Sequence, residues 1–298
     1  MTNPTAPQFP ADVLGLVREV PLSRRGFMTA SAASAAGYTL AAGPVRADSI
    51  HTDTEGLSAG NAVIGGGNGM PVYYARPNKV AKAPVILVAM EIFGLHEYIK
   101  DVTRRLAKLG AFAVAPDLYF RAGKDLTKII DFKELMPVVN AKPDAELISD
   151  LDSTVTWAKS VGGDTDRLGI IGFCRGGRTV WEYAAASPGL KAGVAFYGAL
   201  TDPEAQKGIW PKSPLELAGD MKAPVLGLYG EEDQGIPLTQ VEAMKAALTA
   251  SNKTFEIVTY EDAPHGFHAD YRSGYRKEAA EDGWQRATGW FKKYGVLS

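Results

Sequence analysis

Leu168-Gly-Ile-Ile-Gly-Phe-Cys174-Arg-Gly-Gly177 constrains this chain more than any other segment. An apolar run rich in β-branched residues ends at Phe173, and a helix is expected to begin near Gly176. The turn between them, Gly172-Phe173-Cys174-Arg175-Gly176, has the glycine spacing of a nucleophile elbow, with cysteine where serine is commoner. Such a turn holds its central residue in a strained backbone conformation. A side chain two residues either way would collide with the strand or the helix, and Gly177 lets the helix lie close on the sheet. The helix N-terminus points free N–H groups and the positive dipole end at the sulfur, which favours the thiolate. The alternative is a packed, inert cysteine in a glycine-rich turn.

The rest of the chain supplies a frame for such a turn. Continuous apolar runs at Ala83–Met90, Ala111–Leu118, Leu168–Phe173, Ala192–Tyr197 and Ala223–Tyr229 fit strands buried on both faces of a parallel sheet, and Thr254–Tyr260 is a further strand. Helical spacing covers Glu97–Leu109, Pro143–Val161, Leu238–Ala250 and Tyr271–Lys293. Asn61–Ile64 and Met70–Ala75 flank a glycine turn and read as a hairpin. Asp125–Lys142 is the least regular stretch and reads as a flexible insertion. Strands alternating with helices predict an α/β fold, a mostly parallel sheet covered on both faces.

Residues 1–47 read differently. Ser23-Arg24-Arg25-Gly26-Phe27-Met28 is a twin-arginine pattern, an alanine-rich run follows to Ala42, and Val45-Arg46-Ala47 offers a cleavage site. The run is too short to span a bilayer. We expect a removable export signal over 1–47, with the twin-arginine machinery as partner and the bacterial periplasm as destination, and a single domain over 48–298. Without that signal the chain would be cytoplasmic.

The composition narrows the chemistry. A formal net charge of −2 gives no basic field for nucleic acid, and nothing reads as a stable membrane anchor. With one cysteine and four histidines (His51, His96, His265 and His268), neither an internal disulfide nor a cysteine-rich metal site can form. No metal and no organic cofactor is expected.

Two later segments complete a catalytic set. Gly230-Glu-Glu-Asp233 follows an apolar strand, where loops reach the ligand-binding edge of an open sheet. Asp233 is the preferred partner for a histidine, with Glu232 as runner-up. Pro264-His265-Gly266-Phe267-His268 follows the last strand, and His265, between proline and glycine, is preferred over His268. Nucleophile, acid and histidine then fall in the chain order of α/β-hydrolases. In that reading His265 takes the thiol proton and later passes it to the leaving alcohol. Glu91, just after the Val85–Val88 run, would lie close to Cys174 and accept or hold its proton. The backbone N–H groups of Ile92 and Arg175 are the candidates for an oxyanion hole.

These pieces resemble the dienelactone hydrolase family, the carboxymethylenebutenolidases, which are cysteine hydrolases of the α/β-hydrolase fold. The resemblance rests on Glu91-Ile-Phe-Gly-Leu, Ala115-Pro-Asp-Leu-Tyr119, Gly172-Phe-Cys-Arg-Gly-Gly177, Gly230-Glu-Glu-Asp233 and His265-Gly-Phe. It implies a Cys174, Asp233 and His265 triad, a thioester intermediate, and a thiol kept quiet by Glu91 until substrate moves that carboxylate. It also implies a substrate carboxylate clamped by Arg121, with Tyr119 beside it. The second clamp arginine expected past the histidine is replaced by His268-Ala269-Asp270, and Arg272 is the nearest. A small-molecule lactone or ester is the implied substrate. A broad-specificity carboxylesterase is the alternative, and a hydrolase-fold binding protein with an inert thiol is a third reading.

Overall fold

The computed structural model describes residues 49–67, 69–129 and 131–298, so the expected export signal over 1–47 lies outside the described residues. Eight strands form one sheet: β1 Leu57–Ile64, β2 Met70–Pro77, β3 Pro84–Ala89, β4 Phe112–Pro116, β5 Asp164–Phe173, β6 Leu190–Phe196, β7 Val225–Gly230 and β8 Phe255–Tyr260. They lie in the order β1-β2-β4-β3-β5-β6-β7-β8. β2 runs antiparallel to both β1 and β4, and every pairing from β4 to β8 is parallel. The fully apolar runs take the interior positions because both of their faces are covered. Every residue of β3, β4 and β7 is buried.

Among the described residues the chain also forms six helices: α1 Glu97–Lys108, α2 Phe132–Asn140, α3 Asp144–Ser160, α4 Arg175–Ala186, α5 Leu238–Ala250 and α6 Lys277–Lys293. Gly169 and Gly193 show which face two of them occupy. Gly169 pairs with Ala192, the neighbour of Gly193, so the two glycines face opposite sides of the sheet. A Cβ on Gly169 would press on Phe291 of α6, and one on Gly193 on Val180 of α4. Hence α4 and α6 sandwich the central strands.

Two expectations are corrected. Within the stretch 125–142, residues 131–142 are a packed part of the fold, because the Asp131 side chain accepts a hydrogen bond from the Lys133 N–H to cap α2, and Leu135, Met136 and Val139 enter the core. The last helix starts at Lys277 instead of Tyr271. The residues from Tyr271 onward are held in a loop by the contacts described below.

The strand order fixes where a ligand can sit. After β3 the chain crosses to β4 on one side, and β5 then pairs on the other side of β3. Connections leave β3 and β5 in opposite directions, opening a crevice at their carboxyl ends. Cys174 follows β5 there, and Glu91 follows β3.

Candidate active site

Cys174 has φ 55° and ψ −118°, a region that L-residues seldom enter and that costs about 1–3 kcal/mol. Neighbouring backbone enforces it. The Cys174 N–H donates to the Phe196 carbonyl at 3.1 Å. A Cβ on Gly172 would lie 2.1 Å from the Gly176 oxygen, and one on Gly176 would lie 2.0 Å from the Ala89 oxygen. A Cβ on Gly177 would lie 2.5 Å from the Phe196 oxygen. The glycines at these positions therefore let α4 begin against the ends of β3 and β6. Cys174 itself has no exposed surface and forms no disulfide.

His265 and Asp233 come from loops after β8 and β7. His265 Nδ1 and Asp233 Oδ2 are 2.7 Å apart, with both side chains fully buried. The other carboxylate oxygen, Oδ1, accepts from the N–H groups of Gly235 at 2.9 Å and Ile236 at 3.2 Å. Asp233 is thus locked by its own loop while it orients the ring. Burial works against a charged imidazole, yet His265 is raised well above 6.5, by the charges of Asp233 and Cys174 and by the hydrogen bond to Asp233. The imidazole held by Asp233 is thus electrostatically coupled to the sulfur of Cys174. Glu232, the runner-up acid, is exposed and lies 3.9 Å from Arg276.

His268 belongs to a different environment. Its Nδ1 is 2.6 Å from the Tyr98 hydroxyl, and its ring packs on Phe173, Phe196 and Trp284. Burial, with the positive charge of Arg105, lowers it to about 3, so it stays neutral.

Glu91 is buried, and three partners keep it ionised. Its Oε2 accepts from the Tyr271 hydroxyl at 2.7 Å and lies 3.1 Å from His96 Nε2. Arg272 is 3.9 Å from Oε1. Burial pushes the carboxyl up, but the Arg272 charge and the His96 and Tyr271 bonds outweigh it and bring the pKa down to about 2. A carboxylate held that low is a poor acceptor for a thiol proton. His96, Tyr271 and Arg272 were not expected in this role, because they come from the loop before α1 and from a stretch with helical spacing.

Ile92 is fully buried in the loop after β3. Arg175 is the first residue of α4, where an N–H has no acceptor within the helix. Its side chain turns away and lies over the Trp210 ring, 3.7 Å from the centroid.

The candidate substrate arginine is already engaged. Arg121 donates through both Nη atoms to Asp150, at 2.7 and 2.8 Å. With Leu118, Tyr119, Lys142 and Pro143 it borders a cavity of about 770 Å³. Among the described residues no group of three or more His, Cys, Asp or Glu side chains converges as a metal site would.

A sequence model of the dienelactone hydrolase family matches residues 70–295. The chain belongs to the dienelactone hydrolase family. Its eight-stranded sheet is accordingly an α/β-hydrolase fold. The family member named "Putative carboxymethylenebutenolidase" from Methylorubrum extorquens is 50% identical over 292 residues, covering 97% of this chain and 99% of that one. A protein of the same name from Escherichia coli is 47% identical, covering 87% of this chain and 96% of its own. Among solved structures, a dienelactone hydrolase from Klebsiella pneumoniae, titled "putative", is 48% identical with a TM-score of 0.76, covering 80% of this chain and 99% of that one.

Proposed function

We propose that this dienelactone hydrolase family member opens carboxylic esters or lactones with Cys174 as nucleophile. The observation that carries the reading is the coupling of three buried groups at strand ends: a strained cysteine, an imidazole raised by it, and the aspartate bound to that imidazole. The relatives' names agree in class, and one of them, from Bradyrhizobium, is called a probable 2-oxo-3-(5-oxofuran-2-ylidene)propanoate lactonase and is 31% identical.

The Cys174 thiolate attacks the carbonyl carbon, and the electron pair of the C=O bond moves to oxygen. The N–H groups of Ile92 and Arg175 receive that oxyanion, each worth about 3 kcal/mol by comparison with related sites. Collapse breaks the C–O bond, and the imidazolium of His265 gives its proton to the departing alkoxide. A thioester remains. His265, now neutral, takes a proton from water, whose oxygen attacks the thioester and releases the acid and the thiolate. Asp233 holds the ring in position throughout. Glu91, ionised and pinned by Tyr271, serves as a fixed negative charge in the crevice. Tyr119 and Arg121 border the cavity that takes the rest of the substrate, and Arg121 can clamp a carboxylate there only by exchanging Asp150 for it.

Cys174→Ala should abolish hydrolysis of 4-nitrophenyl acetate, and brief mixing of wild type with excess ester should give a mass increment of one acyl group on the Cys174 peptide. An active alanine variant removes the proposal.

The N-terminal pattern supports export. We propose that Ser23-Arg24-Arg25-Gly26-Phe27 addresses the folded chain to the twin-arginine machinery, and that cleavage after Ala47 leaves 298 − 47 = 251 residues in the periplasm. Replacing both arginines by lysine should leave the uncleaved protein in the cytoplasm, and unchanged export would refute this.

A further inference from the structure

Residues 50–53 precede β1, lie outside the sheet and are fastened along α1 by charged side chains. The Thr52 N–H donates to Asp101 Oδ1 at 2.5 Å, and the Thr52 carbonyl accepts from Arg104 Nε at 2.7 Å. The Ile50 N–H donates to Asp270 Oδ2 at 3.0 Å. Arg105 ties the two acids together, donating from Nε to Asp101 and from Nη2 to Asp270 at 2.8 Å. Hydrophobic burial does not explain the attachment, because Ile50 is 49% exposed. The backbone of this segment goes instead to carboxylates that are themselves buried, and a buried carboxylate is costly without donors. Burial keeps Asp270 raised above its usual range even with Arg105 and the Ile50 N–H on it, so each donor counts.

The residues that Asp270 anchors are its neighbours in the chain. The Tyr271 hydroxyl donates to Glu91, and Arg272 Nε donates to that hydroxyl oxygen at 3.0 Å. Both lie between His265 and the start of α6, in a stretch that forms turns instead of helix or strand. Side chains of α1 hold this stretch at two places, Tyr98 at His268 and Arg105 at Asp270. Tyr98 and Arg105 are about two helical turns apart and so share one face of α1.

We propose that residues 50–52 act as a strap that, through Asp270, positions Tyr271 and Arg272 on Glu91, so that Ile50 and Asp270 are positioning residues for hydrolysis. The proposal rests on the hydrolase reading above and adds to it a dependence on the chain just beyond residue 47. Glu91 is a fixed charge in the crevice only while Tyr271 pins it. Without the Ile50 donor the loop gains freedom one residue from Tyr271, and the bond to Glu91 is made for less of the time.

The test uses a single backbone donor. Ile50→Pro removes that N–H and leaves every buried side chain in place, whereas Ile50→Ala keeps it. With 4-nitrophenyl acetate, Ile50→Pro should lower kcat at least about threefold and leave KM within about twofold of wild type, because small misplacements around the reacting groups act on the rate. Ile50→Ala should match wild type. Tyr271→Phe should lose at least as much as Ile50→Pro, and on that background Ile50→Pro should change kcat by less than about 1.5-fold, since both act through one contact. A wild-type kcat in Ile50→Pro or in Tyr271→Phe, an equal loss in Ile50→Ala, or the full loss repeated on the Tyr271→Phe background overturns the proposal. Should Ile50→Pro fail to fold, Asp270→Asn takes its place, with the same expected loss of kcat and the same silence on Tyr271→Phe; independent losses overturn the proposal. Cys174→Ala separates the two levels of the argument. If it still hydrolyses the ester, the nucleophile assignment fails. If hydrolysis needs Cys174 but ignores Ile50→Pro, only the strap fails.

Discussion

Asp233→Asn is the sharpest perturbation of the proposed chemistry, because the surroundings dictate how the new amide must sit. Oδ1 of Asp233 accepts from two backbone N–H groups, at Gly235 and Ile236. An asparagine keeps those bonds only by turning its oxygen toward them, which aims its NH2 group at His265 Nδ1. That nitrogen must then accept, and the ring's proton moves to Nε2. This is the tautomer that cannot take a proton from sulfur. The variant also removes the negative charge that favours the imidazolium. Together these effects should lower kcat/KM by roughly two to four powers of ten, with the loop still folded. The assay is hydrolysis of 4-nitrophenyl acetate from pH 5 to 9, with melting temperatures measured in parallel. His265 is raised in the folded state, so its contribution to stability is fully present below about 6.5 and fades as pH climbs through the folded value. The melting-temperature gap between wild type and variant should therefore narrow on the alkaline side. A variant within tenfold of wild type, or a gap that widens with pH, would refute the reasoning.

Other outcomes follow from the same contacts. Gly176→Ala places a methyl group 2.0 Å from the Ala89 carbonyl oxygen, and neither backbone can yield without opening the elbow; we expect a loss of about 3 kcal/mol or more in denaturant titrations, together with loss of activity. Glu91 falls from its usual 4.5 to about 2, which at about 1.4 kcal/mol per pH unit is worth about 3 kcal/mol above pH 4.5, lost as pH drops toward 2. Glu91→Gln should be less stable than wild type at pH 7, and the difference should close in acid. His268→Phe forfeits the Tyr98 hydrogen bond, at about 1–3 kcal/mol, yet should keep ester hydrolysis within a few-fold, whereas His265→Phe should show none.

Much of this arrangement can be read from local sequence, and the reason is that strand ends are local. The glycines around Cys174 mark places where backbone meets backbone, and a missing Cβ is visible in one dimension. The order of Cys174, Asp233 and His265 follows from strands and loops that alternate in the chain. What stays hidden depends on distant segments meeting. Glu91 is drawn below its usual range by His96, Tyr271 and Arg272, and Tyr271 lies 180 positions away. Helical spacing from Tyr271 onward masks the loop that delivers it. Arg121 has the placement of a substrate clamp, but its engagement with Asp150 depends on how α3 packs. The short helix α2 contains Pro137 and begins on an aspartate cap, so its periodicity is too brief to register. Arg175 reads as a bulky intrusion in the elbow until Trp210, 35 residues on, supplies its platform.

The complete enclosure of Cys174 has a further chemical cost and benefit. Sulfur that climbs to the sulfenic state can be rescued when a neighbouring thiol captures it, and this chain has no second cysteine to do so. Overoxidation would end the life of the molecule. The residues that cover the sulfur against peroxide also stand between it and an ester, so in the proposed reaction the same packing that protects Cys174 is what a substrate has to displace.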